Sequence, residues 1–240
     1  MKANCAVCEQ PLEYFDEARD VVCAVCGKAD TGRCVCVDGH YVCDECHRAA
    51  GVDMIMEVCA QTDNRNPIEL AQQIMEDQRI YPNGPEHHSM VGAVLLAAYK
   101  NAGGDIDLDS ALAELRRRSL QVPGGTCGYW GVCGAAVSAG QFYSIATAGT
   151  PLTEDQWAKS AQLTSNILGR LAEIGGPRCC KRTSFAAIET TVSHVRETLG
   201  VEMELPERTT CMFMAGNAQC RRQGCPYFPS KSPISETSAG

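Results

Sequence analysis

The pattern of apolar and polar positions predicts that most of the chain after residue 64 is helical. Six segments have helical spacing, a cap or a glycine stop in the expected place. They are residues 66–77, 86–102, 109–120, 135–148, 153–174 and a last helix that starts at Thr183 or Ser184 and ends before Gly200.

Residues 86–102 are apolar almost all round and end at Gly103-Gly104, which is typical of a buried helix with a glycine stop. Asn66 before Pro67 indicates a capped helix start. Thr153 and Gln156 have the spacing of a capping box. These features predict a helical domain with residues 86–102 at its centre.

The two ends of the chain differ from this domain. The first 58 residues lack helical spacing and are dense in cysteine, and residues 229–240 are rich in Ser and Pro with almost no large apolar side chain. The predicted fold is therefore mainly α: a small zinc-ribbon or treble-clef-like module (1–58), an all-α cysteine-rich domain (64–228) and a disordered tail (229–240). At most a short strand is expected after Gly200.

Charge and hydropathy narrow the class of function. The net charge is −8 and the pI is near 5.2, whereas nucleic-acid binders normally carry a basic surface, so a nucleic-acid partner is not favoured. The longest apolar run, Met90–Tyr99, is far shorter than the ~20 residues that cross a bilayer. Because the first residues also lack an apolar signal core, we expect a cytoplasmic protein without a membrane partner.

Sixteen cysteines are the strongest chemical signal in the sequence. In a reducing compartment such a number indicates metal ligation or thiol chemistry, because disulfides do not persist there. Nine of them precede residue 60, and the other seven lie between Cys127 and Cys225. The two groups are expected to have different roles.

The amino-terminal cysteines form four regularly spaced pairs, which is enough for two tetrahedral zinc sites. Sequence alone does not choose between sequential pairing and crossed pairing, in which the first and third pairs share one ion and the second and fourth share the other; crossed pairing is favoured. With no open coordination position, the module would be structural or bind a protein partner. The proposed ligands are Cys5, Cys8, Cys23, Cys26, Cys36, His40, Cys43 and Cys46, with Cys34 and His47 left over.

The second cysteine group begins in glycine-rich and basic loops. Cys127 and Cys133 lie in the loop 124–134, and the vicinal pair Cys179 and Cys180 lies between basic residues before a helix. A helix dipole and nearby cations lower a thiol pKa, so Cys179 and Cys180 are the best candidates for reactive groups. The glycines around Cys127 and Cys133 allow a ligand or cluster to approach the backbone closely, and these two are candidate reactive groups as well. His88 is a candidate general acid or base, because histidine titrates near neutrality.

Three further cysteines, Cys211, Cys220 and Cys225 before Pro226, are candidate ligands of a 4Fe–4S cluster. Their spacing does not match a standard ferredoxin. The alternatives for all seven cysteines of the second group are buried structural thiols or another zinc site.

Several motifs resemble an uncharacterised cysteine-rich domain-of-unknown-function family of anaerobic bacteria and archaea, some members of which are fused to methyltransferases. They are Gly84-Pro85-Glu86-His87-His88, the segments 125–136 and 175–182, and the final Cys225-Pro226-Tyr227-Phe228. The resemblance implies an anaerobic setting but no particular reaction.

Two hypotheses for the function follow. The first is an iron–sulfur or thiol-based enzyme or carrier in sulfur transfer or redox chemistry, which exchanges sulfur with a small thiol or sulfur donor and carries a structural zinc module. In it an iron–sulfur cluster is held, or a persulfide is passed, by Cys127, Cys133, Cys179 and Cys180, with Cys211, Cys220 and Cys225 as further candidate members. The second is a non-catalytic zinc-binding adaptor that contacts a protein partner through that module. A metal-dependent hydrolase that uses Glu86, His87 and His88 is a third and weaker alternative.

Overall fold

The computed structural model describes residues 4–229, which form a mainly helical chain with one β-hairpin near its start. The predicted fold class is confirmed, because helices dominate and the hairpin carries the amino-terminal cysteine pairs. The strands are β1 (Leu12–Val22) and β2 (Ala29–Cys36), and the helices are α1 (Asp44–Gln61), α2 (Pro67–Met75), α3 (His87–Asn101), α4 (Leu108–Ser119), α5 (Thr126–Tyr129), α6 (Gly134–Ala146), α7 (Glu154–Ile174) and α8 (Cys180–Leu199).

Helix α3 is the centre of the core, as predicted. Every residue from His87 to Tyr99 is buried, and α3 packs against α1, α2, α4, α6 and α8. An all-round apolar helix can be buried on every face only if neighbours surround it. The other helices are therefore arranged around α3.

The closest approach between α3 and its neighbours is at Gly92. Its N–H donates a hydrogen bond of 2.8 Å to the Ser138 hydroxyl on α6. A Cβ at Gly92 would lie 2.6 Å from Leu115 Cδ1 on α4 and 2.9 Å from the Ser138 Oγ. The absence of a side chain at this position lets three helices meet.

Helix α1 was not predicted, and it joins the hairpin to the helical core. It begins directly after Cys43 and buries Val52, Ile55 and Cys59 against the other helices. Arg48 on α1 donates hydrogen bonds to the Ser119 and Val122 carbonyls at 2.9 and 3.2 Å, beyond the last turn of α4. The chain from Cys43 onward thus belongs both to the cysteine module and to the core.

The predicted helix starts were right in some cases and wrong in others. The Asn66 side chain caps α2, because its Oδ1 accepts from the Ile68 and Glu69 amides at 3.1 and 3.2 Å. The Thr153 capping box was wrong: α7 starts there, but the Thr153 hydroxyl bonds the backbone of Thr150 instead. Helix α8 begins at Cys180, one turn earlier than predicted.

Residues 201–229 contain no strand and run back over the helices, with single 3-10 turns at Met214–Gly216 and Arg222–Gly224. The Glu204 N–H donates to the Arg65 carbonyl at 2.9 Å, and the Gln72 side-chain amide donates to the Thr210 carbonyl at 2.7 Å.

Apart from Pro229, the predicted tail 229–240 lies outside the described residues. Between residues 4 and 229, none of the helices has the length and apolarity that a bilayer crossing needs.

We expect Gly92→Ala to destabilise the fold by about 1–3 kcal/mol, because the new methyl group overpacks the α3, α4 and α6 junction. Gly169→Ala is the matched control, since Gly169 is helical and has open space around its Cα. The control should stabilise the protein by up to about 1 kcal/mol through helix propensity. Denaturant unfolding of both variants checks this; equal stability changes would contradict the packing described here.

Candidate functional site

The hairpin explains how the four amino-terminal ligand pairs come together. The first pair precedes β1 and the second follows it, so the two pairs lie at opposite ends of that strand. Leu12 pairs with Cys36 across the hairpin, which brings the third pair beside the first. Cys23 forms a bridge with Tyr41, which brings the fourth pair beside the second. The resulting grouping is the crossed one.

The first group contains Cys5, Cys8, Cys36 and His40, whose ligand atoms all lie within 4.8 Å of one another. The Cys8 and Cys36 sulfurs are 3.7 Å apart, and the His40 Nδ1 lies 3.3 Å from the Cys8 sulfur. Tetrahedral zinc with bonds of about 2.3 Å separates its sulfur ligands by about 3.8 Å. These four residues can therefore hold a metal ion such as zinc.

The second group contains Cys23, Cys26, Cys43 and Cys46, again with all sulfurs within 4.8 Å. Backbone amides, first that of Cys43 and then that of Cys26, lower the pKa of Cys23 to about 6. The neighbouring Cys26 thiol, followed by burial, raises the pKa of Cys46 to about 12. Once one cysteine is a thiolate, its negative charge opposes ionisation of the neighbouring cysteines. A bound cation would remove this repulsion between thiolates.

Cys34 and His47 belong to neither group within residues 4–229. Cys34 pairs with Tyr14 across the hairpin, and the His47 ring stacks on Tyr81 with 3.9 Å between centroids. Both were left over in the sequence interpretation.

All five residues predicted to be catalytic line a single cavity of about 410 Å³. The cavity lies between the start of α3, the α5 loop, the end of α7 and the start of α8. Its floor includes Leu168 and Leu171 of α7. The five residues are His88, Cys127, Cys133, Cys179 and Cys180.

His88 is held as a neutral imidazole. Its Nδ1 lies 3.4 Å from the Val122 carbonyl, so Nδ1 carries the proton and Nε2 is an acceptor. Burial lowers the pKa of His88 to about 4. The ring occupies the space that a side chain at Gly134 would need, which places the imidazole against the start of α6.

The sequence predicted a low thiol pKa at the start of α8, and for Cys180 this prediction was wrong. Burial raises the pKa of Cys180 to about 12 and also raises that of Cys133. The basic neighbours do not offset this effect: Arg178 is exposed, and Arg182 donates to the Gly175 carbonyl at 2.9 Å instead of to a sulfur. Desolvation outweighs the helix dipole here.

The three predicted cofactor ligands, Cys211, Cys220 and Cys225, line a second, small and enclosed cavity. Cys179 lines this cavity as well as the larger one. Nothing in the sequence beside Cys180 shows that Cys179 lines both cavities while Cys180 lines only the larger one. The seven cysteines of the second group thus lie around two adjoining cavities.

Glu86 and His87 are buried components of the core. The Glu86 carboxylate lies 3.5 Å from the His87 Nδ1 and accepts a bond of 3.1 Å from the Tyr81 N–H. Among residues 4–229, no group of candidate metal ligands contains Glu86, His87 or His88. The hydrolase alternative gains no support from the geometry.

Comparison with known proteins gives one match. A family model described as "Family of unknown function (DUF5714)" matches residues 55–228. No curated protein and no solved structure matches the chain. The matched segment starts within α1 and contains both cysteine-lined cavities, but it excludes the amino-terminal ligand pairs.

We expect Cys36→Ala to lower bound zinc from two ions per chain to about one, because the first group loses a buried ligand. Cys34→Ala is the control, since Cys34 lies two residues away on the same strand and belongs to neither group. Zinc is measured after dialysis against a chelator of moderate affinity. If Cys34→Ala lost as much zinc as Cys36→Ala, the grouping would be wrong.

The thiols of the larger cavity should differ in alkylation rate in protein prepared without iron. Cys127 is exposed and should label first, whereas Cys180 should label slowly at pH 7 and faster as the pH approaches its raised pKa. Fully buried Cys59, whose pKa burial also raises, should label only on unfolding. Peptide-resolved mass spectrometry across pH 7–10 checks this order, and equal rates for Cys127 and Cys180 at pH 7 would contradict it.

Proposed function

Because the chain belongs to the family of unknown function DUF5714, its role has to be inferred from its own residues, and we propose that it is a metal-binding protein with iron–sulfur or thiol-based sulfur-transfer and redox chemistry. In this proposal the amino-terminal module holds two structural zinc ions. The chemistry takes place in the helical domain, at the cavity that contains His88 and the cysteines.

The observation that carries the proposal is the gathering of cysteines that are far apart in sequence. Residues from the α5 loop, the start of α8 and the carboxyl-terminal segment supply thiols to two adjoining cavities. Free cysteines that serve only as small apolar side chains have no reason to collect around open space. A cofactor or a transferred sulfur atom gives them one.

Because their pKa values are raised, the Cys133 and Cys180 thiols must lose a proton before they bind a metal ion or attack a sulfur donor. At neutral pH the buried Cys133 and Cys180 thiols keep their protons. A metal ion displaces a thiol proton when it binds, so the same residues become thiolates in the loaded protein. Burial lowers the pKa of His88 to about 4, so its Nε2 can accept a hydrogen bond but does not keep a proton at neutral pH.

The expected setting follows from the same chemistry. Iron–sulfur clusters and persulfides are both damaged by oxygen, so the proposed chemistry favours an anaerobic cytoplasm. The partner would then be a small thiol or sulfur donor that fits a cavity of about 410 Å³.

A second candidate function, a zinc-binding adaptor, is favoured by the exposed apolar side chains of the amino-terminal module. Tyr14 is 70% exposed, and Val22 and Val25 are 62% and 64% exposed. Apolar side chains in such a position are available to a protein partner. In the adaptor hypothesis, the cysteines of the two cavities have no chemical role.

The test is an elemental and sulfur analysis of protein purified without oxygen. We expect two zinc ions per chain, iron with acid-labile sulfide, and uptake of sulfane sulfur from a small persulfide, which leaves a protein persulfide and the donor thiol. Cys133→Ala/Cys180→Ala should lose that uptake, because both thiols line the cavity. Cys34→Ala, outside the cavity, should keep it.

Two results would distinguish the candidates. Zinc alone, with no iron, no sulfide and no sulfane sulfur taken up, would reject the redox and sulfur-transfer proposal and leave the adaptor. Equal uptake by the double variant and by Cys34→Ala would show that the cavity thiols are not the acceptors.

A further inference from the structure

We propose that Cys179, Cys211, Cys220 and Cys225 together ligate an iron–sulfur cluster in the small enclosed cavity beside the start of α8. This inference rests on the proposed function and deepens it, because it names a complete ligand set and moves Cys179 from the reactive thiols to the cluster. All four side chains line that cavity. Four thiolates are what a 4Fe–4S cluster requires.

The backbone already presents donors to these sulfurs. The Phe213 N–H lies 3.4 Å from the Cys211 sulfur, and the Arg222 N–H lies 3.4 Å from the Cys220 sulfur. The same contact between a cysteine sulfur and the amide two residues later occurs at Cys5, from the Val7 N–H at 3.4 Å. The amide groups stabilise thiolate charge, and in this chain the pattern is shared with a group whose geometry fits a metal.

The fourth ligand, Cys179, also accepts a hydrogen bond at its sulfur, in this case from a side chain. The Asn217 side-chain amide donates to the Cys179 sulfur at 3.3 Å, and both residues are only 9% exposed. The Cys211 N–H donates to the Tyr227 carbonyl at 2.7 Å, which closes the carboxyl-terminal segment around the cavity. Three of the four sulfurs, those of Cys179, Cys211 and Cys220, therefore accept hydrogen bonds from other residues.

The spacing distinguishes a cluster from a single ion. In the amino-terminal module, sulfurs approach to 3.7 and 3.8 Å, which fits one zinc ion. Between residues 4 and 229 only the two amino-terminal groups have all ligand atoms within 4.8 Å, so no three of these four sulfurs are that close. A cluster places several atoms between its ligand sulfurs and holds them farther apart.

A buried lysine supplies the second, independent observation. Lys181 is 3% exposed, its Nζ has no hydrogen-bond partner, and it lines the same cavity. A buried ammonium group without a partner is costly. The Lys181 Nζ lies 5.0 Å from the Phe213 ring centroid, and the main negative charge that acts on it comes from Glu86, which is outside the cavity lining. A cluster with four thiolate ligands carries net negative charge, which would give Lys181 a counter-charge inside the cavity.

The position of the cluster would connect it to the larger cavity. Cys179 lines both cavities, whereas Cys180 lines only the larger one. The cluster would then lie directly behind the wall of the cavity that contains Cys133 and Cys180. A small molecule bound there would be within reach of electron exchange with the cluster, while its sulfur contacts come from the cavity thiols.

The test uses the full chain, reconstituted without oxygen with ferrous iron and sulfide. We expect about four iron and four sulfide per chain in addition to two zinc. Cys179→Ala and Cys211→Ala should each lower bound iron at least twofold under limiting iron and change the EPR spectrum of the reduced protein. Cys34→Ala, which removes a thiol outside both cavities and both amino-terminal groups, should leave iron content and spectrum unchanged.

Zinc content and the thermal unfolding midpoint show whether each variant is folded. Lys181→Met should keep the iron and lower the reduction potential of the cluster, because it removes a positive charge next to it. A third zinc ion in place of iron, or an unchanged spectrum in folded Cys179→Ala, would overturn the ligand set. Loss of sulfane-sulfur uptake with a normal cluster would instead count against the proposed sulfur transfer alone.

Discussion

The start of helix α8 is the constraint on which both cavities depend. Cys179 is its N-cap residue and Cys180 its first helical residue, and successive residues of a helix point about 100° apart. Cys179, whose backbone is extended, lines both cavities, whereas Cys180 in the first turn of the helix lines only the larger one. The Asn83 side chain fixes this geometry, because its Oδ1 accepts from the Cys180 N–H at 3.0 Å. A helix that began at Thr183 would separate the two thiols from both cavities.

The same helix start concentrates polar groups where apolar ones would be more stable. Burial lowers the pKa of Lys181 to about 8 and raises that of Cys180 to about 12, so burial works against the charged form of each group. Without a ligand, this region contains the neutral Cys180 thiol and a lysine that lacks a hydrogen-bond partner. Buried polar groups of this kind lower the stability of the fold. They are typical of functional sites, where the same groups serve binding or chemistry.

Features that depend only on residues close together in the sequence were predicted correctly. The Asn66 cap, the buried residues of α3 and the four ligand pairs each follow from neighbouring residues. Helix α1 was missed because its cysteines and mixed polar residues hide any helical period, and because Cys43 provides no capping bond. The division of the seven later cysteines between two cavities could not be predicted, since it depends on how residues 201–229 pack against α8. Burial, which only the fold determines, also reversed the expected pKa of Cys180.

The amino-terminal module and the larger cavity are joined by direct contacts. Helix α1 starts at the second cysteine group, and its Arg48 donates to the Val122 carbonyl at 3.2 Å. That carbonyl also accepts from the His88 Nδ1, which fixes the neutral tautomer whose Nε2 is an acceptor in the cavity. A metal ion that orders the start of α1 would thereby hold Arg48, and through Val122 the imidazole, in place. A zinc module without an open coordination position can in this way support chemistry in the helical domain without taking part in it.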